Sequence, residues 1–555
     1  MTIRAALLVL AFTILSAVLS AQDSSMSCHD GYAGWVPEDI LNRPLPIRSG
    51  AGMVREAVST SSTEAQSYYD QGLALLHSYF WIDAARSFHQ ALRLDPKLGM
   101  AWVRISQIDT SGFLDPAAAR KALAQAESLS GGMAPWERTR VTLRKLQLDS
   151  IEDPKDVTRL QAYRIALDQA IGARYTDTEL WLLRGNVEEP LGAWGIGQFG
   201  TAASIPFYEH VLQVVPDHPA AHHYLIHSFE NIGRIDDALR HGKIYASMAF
   251  AMPHARHMYA HDLRRLGRTT EAIAEFLAAD DLEMTYYQSE KIAPELDWHH
   301  LHNLDLLAGS YQHEGEMKNA EQRLRSTLAV TPVTEALAFN QKQWPAFLLS
   351  RGKMQEALAA AEEMTRSKWA SGRLMGYVLR GQALLSLGRH DEAQQQIALA
   401  GGQLKSISGP RAILLRGLAT NYIDILREEL RLTGPNKQEA VAMLEEIEKK
   451  LRIPQGPDAW SQALFDMENI ARTARQAGAW DLDEFTAMQM IEHDPAYAGG
   501  HYALALAAEH QRNTERARKS FSEAARLWNA SDPDLPERRD TLSHLERSAS
   551  AGSVR

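Results

Sequence analysis

The sequence predicts an all-α protein, an α-solenoid of antiparallel helical hairpins. Three observations predict it. No stretch alternates apolar and polar residues with period two over a convincing length. From residue 63 onward, helical runs of about 10 to 15 residues follow one another, broken by Gly or Asp-Pro. A glycine followed five residues later by alanine recurs at Gly233/Ala238, Gly267/Ala272, Gly315/Ala320, Gly352/Ala357 and Gly388/Ala393.

The chain opens with a secretory signal over residues 1–21. Arg4 supplies the positive start, Ala5 to Val18 the apolar core, and Ser20-Ala21 the small residues before cleavage at Gln22. That run is short for a bilayer span of roughly 20 residues, so the expectation is a periplasmic or secreted protein with no stable membrane insertion after cleavage. The lone cysteine, Cys28, cannot form an intrachain disulfide, and Ser25-Met26-Ser27 before it lacks the small apolar pattern of a lipid-anchor site. Residues 22–62 carry Pro37, Pro44, Pro46, Gly50 and Gly52 and read as an extended leader.

Apolar residues make up 45% of the 555, enough for a sizeable core. The mean hydropathy of −0.30 excludes a multi-span membrane protein. A formal net charge of −11 argues against a general nucleic-acid binder, which needs a basic face.

The repeat register sets the organisation. Ala238 to Ala272 is 34 residues, Ala320 to Ala357 is 37 and Ala357 to Ala393 is 36. The step from Ala272 to Ala320 is 48, which places an insertion of about 14 residues near Asp280 to Pro294. Earlier in the chain, Gly72, Ala84, Phe88, Ala91 and Pro96 show the same logic: small residues where two helices touch, Phe beside them, Pro at the end. Trp181 to Gly185 opens a further helix, followed by the glycine-rich insert Pro190 to Gly200, expected to cover a groove. Gly478 and Pro495 frame a late hairpin, and Ala517, Phe521 and Ala524 mark the last. The reading is N-terminal hairpins over 63–175, central hairpins over 176–335, C-terminal hairpins over 336–530 and a frayed polar tail over 531–555.

This pattern resembles the tetratricopeptide repeat (TPR) family over most of residues 64 to 530. The resemblance implies a superhelix whose first helices line a concave groove, and a peptide or protein ligand in that groove.

Twelve of the 21 histidines fall between His218 and His313. Their register matters more than their number. His223 and His227 lie 15 and 11 residues before Ala238, and His257 and His261 lie 15 and 11 before Ala272. His254 and His302 lie 18 before Ala272 and Ala320, Asp305 lies 15 before Ala320, and Glu230 lies 8 before Ala238. Offsets of three and four share a helix face, so His254, His257 and His261 form one stripe. His223, His227 and Glu230 form another, opposite Leu225 and Phe229. In the repeat family these slots face the groove.

Two histidines at i and i+4 are a known ligand arrangement. Two such pairs on neighbouring helices are expected to meet at one divalent transition-metal ion, with His254, His302, Glu230 or Asp305 as further nitrogen or oxygen ligands. Imidazole suits Zn, Cu, Fe and Ni alike. Glu230 and Glu189 are the candidate catalytic bases. His218, His222 and His241 lie off the stripes and read as surface or interface residues, and His77, near Tyr79 and Trp81, reads as packing. There is no His-Glu-x-x-His, no Gly-x-x-x-x-Gly-Lys loop and no Gly-x-Ser-x-Gly elbow. The functional expectation is an exported scaffold with a histidine-lined metal site in its groove. The alternative is a metal-dependent enzyme, hydrolytic or redox, at the same histidines.

Overall fold

The structure is a computed structural model that describes residues 36–409, 412–454 and 456–552. The signal, Cys28 and the start of the leader lie outside the described residues. The described residues contain helices and no strand, and they divide into two compact units.

The first unit comprises residues 36–266 and Thr270–Asn303. It carries α1 (Glu38–Leu41), α2 (Thr63–His77), α3 (Trp81–Leu94), α4 (Gly99–Ser111), α5 (Pro116–Ser128), α6 (Pro135–Glu152), α7 (Val157–Ala173), α8 (Thr178–Asn186), α9 (Ile205–Val214), α10 (Pro219–Asn231), α11 (Ile235–Met248), α12 (Pro253–Arg265) and α13 (Thr269–Glu290). It ends inside α14 (Trp298–Glu314). The 14 residues added to this repeat lengthen α13 to 22 residues and supply the short link to α14.

The hairpin turns explain the repeated glycines. Gly233, Gly267, Gly315, Gly352 and Gly388 all have φ between 71° and 79°. This is the left-handed residue that closes a helix, after which the next N–H bonds back five residues, as Arg234 N–H does to the Phe229 carbonyl at 2.8 Å. The alanines five residues on are fully buried where the two helices touch: Ala238, Ala272, Ala320, Ala357 and Ala393 are each 0% exposed. Other hairpins carry a side chain in place of that glycine, Leu114 (φ 51°), five before the buried Ala119, among them. Tyr79, five before Ala84, holds φ 55°, and Arg512, five before Ala517, holds φ 60°. A side chain in this region costs roughly 1–2 kcal/mol, so Tyr79 is a position where something offsets strain.

The described part of the leader, from Val36 on, is anchored. Val36, Ile40, Leu45, Ala51 and Val54 are buried. The Gly50 carbonyl accepts from Ala251 N–H at 3.0 Å, and Tyr68 donates its hydroxyl to the Leu45 carbonyl at 2.9 Å. Glu56 is held between Arg104 at 2.6 Å and Arg140 at 3.1 Å.

The second unit comprises Gly267–Thr269 and residues 304–552. After α14 it carries α15 (Met317–Leu328), α16 (Glu335–Asn340), α17 (Gln343–Ser350), α18 (Met354–Met364), α19 (Ala370–Ser386), α20 (His390–Gln403), α21 (Ala412–Arg431), α22 (Lys437–Leu451), α23 (Pro457–Gln476), α24 (Trp480–His493), α25 (Ala498–His510), α26 (Thr514–Leu527) and α27 (Pro536–Gly552). The tail expected to fray is thus mostly α27. Its apolar and hydrogen-bonded side chains dock it: Leu535 and Thr541 are buried, and Tyr502 donates to Asp540 at 2.9 Å. No helix among the described residues is long and apolar enough to cross a membrane.

Candidate metal centre

Three helices of the first unit build the site. α10 and α12 each begin on a proline, Pro219 and Pro253, whose fixed φ suits the first helical turn. Each then places histidine four and eight residues on: His223 and His227 on α10, His257 and His261 on α12. His254 follows Pro253 directly, and His299 and His302 stand on the first turns of α14.

The four central histidines do not converge on one point. They divide between two trios, each with ligand atoms within 4.8 Å of one another: His223, His227 and His254, then His257, His261 and His302. The expectation of one ion shared by His223, His227, His257 and His261 is corrected on this point. A helical side chain leans toward the N-terminus of its helix. The residue 18 before each repeat alanine therefore reaches back to the preceding first helix and completes that helix's pair.

In the first trio, Nε2 of His223 lies 3.1 Å from Nε2 of His227 and 2.9 Å from Nε2 of His254. Nδ1–H of His223 donates to the His77 carbonyl at 2.7 Å, so its proton is on Nδ1 and Nε2 carries the lone pair. In the second trio, Nε2 of His257 lies 2.8 Å from Nε2 of His261. Asn303 gives its Nδ2–H to the Phe276 carbonyl at 3.1 Å, which turns its Oδ1 to Nδ1–H of His257 at 2.8 Å. His257 therefore also presents a lone pair at Nε2.

The site is buried, which departs from the expected groove-facing stripes: the six histidines are 0–3% exposed. Aromatic rings enclose them. Tyr79 stands 4.6 Å from His223 and 5.1 Å from His254, centroid to centroid. Tyr245 stacks on His223 at 5.0 Å, Phe276 meets His257 edge-on at 5.2 Å, and Trp298 stacks on His302 at 5.9 Å. Tyr79 donates its hydroxyl to the Ile196 carbonyl at 3.0 Å, and its own carbonyl accepts from the Trp298 indole at 3.3 Å. Burial holds the imidazoles neutral: His223 is pushed down to about 3, and His227, His254 and His257 fall well below the ordinary value. Neutral imidazole is the form that binds a metal.

The acids take second places. Glu230 is fully buried, with Oε1 3.6 Å from Nδ1 of His261. Beside it, burial and the Glu230 charge push the Asp262 carboxyl well above the usual range. Glu189, read from sequence as a base facing the cavity, is buried and holds the 190–200 insert, accepting the N–H of Gly197 and, at 3.2 Å, that of Phe199. Glu283 takes Nδ1–H of His299 and, at 2.9 Å, that of His300, and it groups with Asp280 and His300. Burial and the neighbouring Asp458 raise the carboxyl of Asp305, which lies in the second unit.

The remaining histidines take other places. His222 and His241 pair through their Nδ1 atoms at 2.8 Å, off the stripes as expected. His218 is buried at 3% exposure, not on the surface. His77 links Tyr224 at 2.8 Å to Glu179 at 2.9 Å. His313 pairs with Asp494 at 3.0 Å in the second unit. Sequence reasoning missed Tyr79, Trp298 and Asn303. Tyr79 carried a signal, since it stands where the register calls for glycine. Trp298 and Asn303 carried none beyond their nearness to His299 and His302.

No protein-family model matches the sequence, and no curated protein matches it. Solved structures are similar in helical architecture. A monomeric mutant of IFIT1 with Gppp-AAAA is 11% identical, covering 77% of this chain and 90% of its own, with a TM-score of 0.38. Yeast Tom70 is 11% identical over 88% and 96%, with a TM-score of 0.30. The TPR domain of P58(IPK) is 15% identical over 68% and 100%, with a TM-score of 0.20. The chain is an all-α array of TPR-like hairpins by its own helices and turns.

Proposed function

We propose that this protein is an exported metalloprotein that binds two transition-metal ions, one in each histidine trio. The observation that supports it most is the fixed tautomer of His223. Its Nε2 lone pair faces the Nε2 atoms of both His227 and His254, and one lone pair accepts one linear N–H, not two. A metal ion takes all three nitrogens at about 2.0–2.1 Å. Tetrahedral bonds of that length hold nitrogens about 3.3 Å apart, a few tenths of an ångström wider than the two short distances. The carbonyl behind His223 and the amide behind His257 are the outer partners that metal-bound imidazoles commonly have.

The test is metal analysis of the full chain purified without a histidine tag. Two ions per chain, with a melting temperature that falls in chelator, is the expected result. A metal-free protein whose stability is indifferent to chelator and to added Zn, Cu, Fe or Ni sinks the reading.

A second reading is favoured by a separate observation. The second unit has a partly open pocket lined by Phe347, Tyr422 and Phe465 with the amides of Gln312, Gln382 and Asn469. Amides over aromatic walls suit a peptide backbone, so this unit acts as the binding scaffold that the TPR resemblance implies. Protection of α19, α21 and α23 from hydrogen exchange by a bound peptide would support it, and uniform exchange across a diverse peptide panel would sink it.

A further inference from the structure

We propose that the two ions are copper(I) and that the ligand they share is dioxygen. This rests on the reading that each trio holds an ion. Separation, charge and access carry it.

The trios meet on one helix. His254 belongs to one and His257 to the other, three residues apart on α12 and so roughly 4.5 Å apart along its axis. Their rings stack at 5.9 Å. His299 touches both, at 5.1 Å and 4.6 Å, with its buried Nε2 lacking a hydrogen-bond partner. Paired metals that act together stand about 3.5–4 Å apart. The stacked rings of His254 and His257, one from each trio, set the two sites side by side, as two ions sharing one diatomic molecule require.

Charge selects the metal. Both trios consist of histidine alone. The adjoining acids, Glu230 and Glu283, contact Nδ1 of His261 and of His299. Two divalent ions bring four positive charges into a buried, all-imidazole site, where uncompensated charge is far costlier than in water. Two univalent ions bring half of that. Copper combines a univalent state with a preference for imidazole, whereas hard cations need oxygen ligands.

Access selects the ligand. Side chains that are 0–3% exposed behind Tyr79, Tyr245 and Trp298 leave a small neutral molecule as the ligand that fits this site. A peptide or a sugar is too large. On binding, each copper(I) gives up one electron, the oxygen–oxygen double bond becomes a single bond, and the dianion formed offsets charge on the two copper(II) ions. No proton and no outside reductant is needed, and release reverses the transfer.

The experiment loads the untagged full chain anaerobically with copper(I) and then admits oxygen. Expected are two coppers per chain, one dioxygen taken up per two coppers, an absorption band that argon purging removes, and no paramagnetic signal from the oxygenated form because the two copper(II) spins pair. The His302→Ala variant should bind one copper and take up no oxygen. Two coppers that take up no oxygen, a full signal from isolated copper(II), or tighter binding of zinc than of copper(I) overturns the copper–dioxygen proposal and leaves the two-ion reading standing. No metal of any kind bound overturns both.

Discussion

Nε2 of His223 and Nε2 of His254 lie 2.9 Å apart, although 31 residues separate them and they stand on different helices. The contact assigns His254 to the trio of α10, not to its own helix partners His257 and His261. The His254→Ala variant should therefore lose one of two ions and keep the other, and His302→Ala should do the same at the second trio. Stoichiometry falling from two to one in each, and to zero in the double variant, is the expected pattern. Loss of both ions from either single variant would contradict two separate trios.

Asn303 aims a second prediction at geometry rather than ligation. Its Oδ1 holds the proton of His257 on Nδ1, and outer partners of this kind typically contribute 10–100-fold in metal affinity. Asn303→Leu should weaken the second ion by that factor while the first trio keeps its affinity. Competition titration with a coloured chelator reads both constants.

Tyr79 and Arg512 share a strained backbone but not a setting. Tyr79 (φ 55°) is buried against three histidines of the site, while Arg512 (φ 60°) is exposed. Arg512→Gly should stabilise by about 0.5–1 kcal/mol, as relief of strain outweighs the added freedom of the unfolded chain. Tyr79→Gly gains the same relief but removes a buried ring, a loss of about 3–5 kcal/mol, so it should destabilise by about 2–4 kcal/mol. Urea melts at constant pH separate the two signs.

Two buried groups should respond to pH in opposite directions in metal-free protein. His223 is held near 3 in the fold but takes a proton near 6.5 when unfolded. Its contribution is complete above about 6.5 and is lost as pH falls toward 3. The penalty of His223→Gln should therefore shrink on acidification, by about 1.4 kcal/mol per pH unit below 6.5. Glu448, in the second unit, is raised to about 8 by burial. The protonated form that the fold favours is lost as pH rises from about 4.5 toward 8. Glu448→Gln should be nearly neutral at pH 5 and stabilising by on the order of 1–3 kcal/mol at pH 7.5. Parallel slopes for the two variants would refute the assignment.

Much was legible in the sequence because it is written locally. A glycine at the helix end, an alanine five residues on and a proline at a helix start act within one or two turns. They determined the all-α class, the hairpin register and the histidine slots 18, 15 and 11 residues before each repeat alanine. The 48-residue step likewise foretold the longer α13. The end of the chain misled because its polar composition hides the few residues that dock α27, Leu535 and Thr541 among them.

Only the tertiary structure decided what those slots do together. Which histidines share a point depends on the seams between α10, α12 and α14, and on the lean of each side chain across them. The packing of Tyr79, Tyr245 and Trp298 over the site turned an expected groove into a buried centre. Contacts such as His223 to His77, 146 residues apart, follow from how whole helices stack. No local rule of spacing carries that information, so the sequence determined the ligands and the packing of the helices decided the trios.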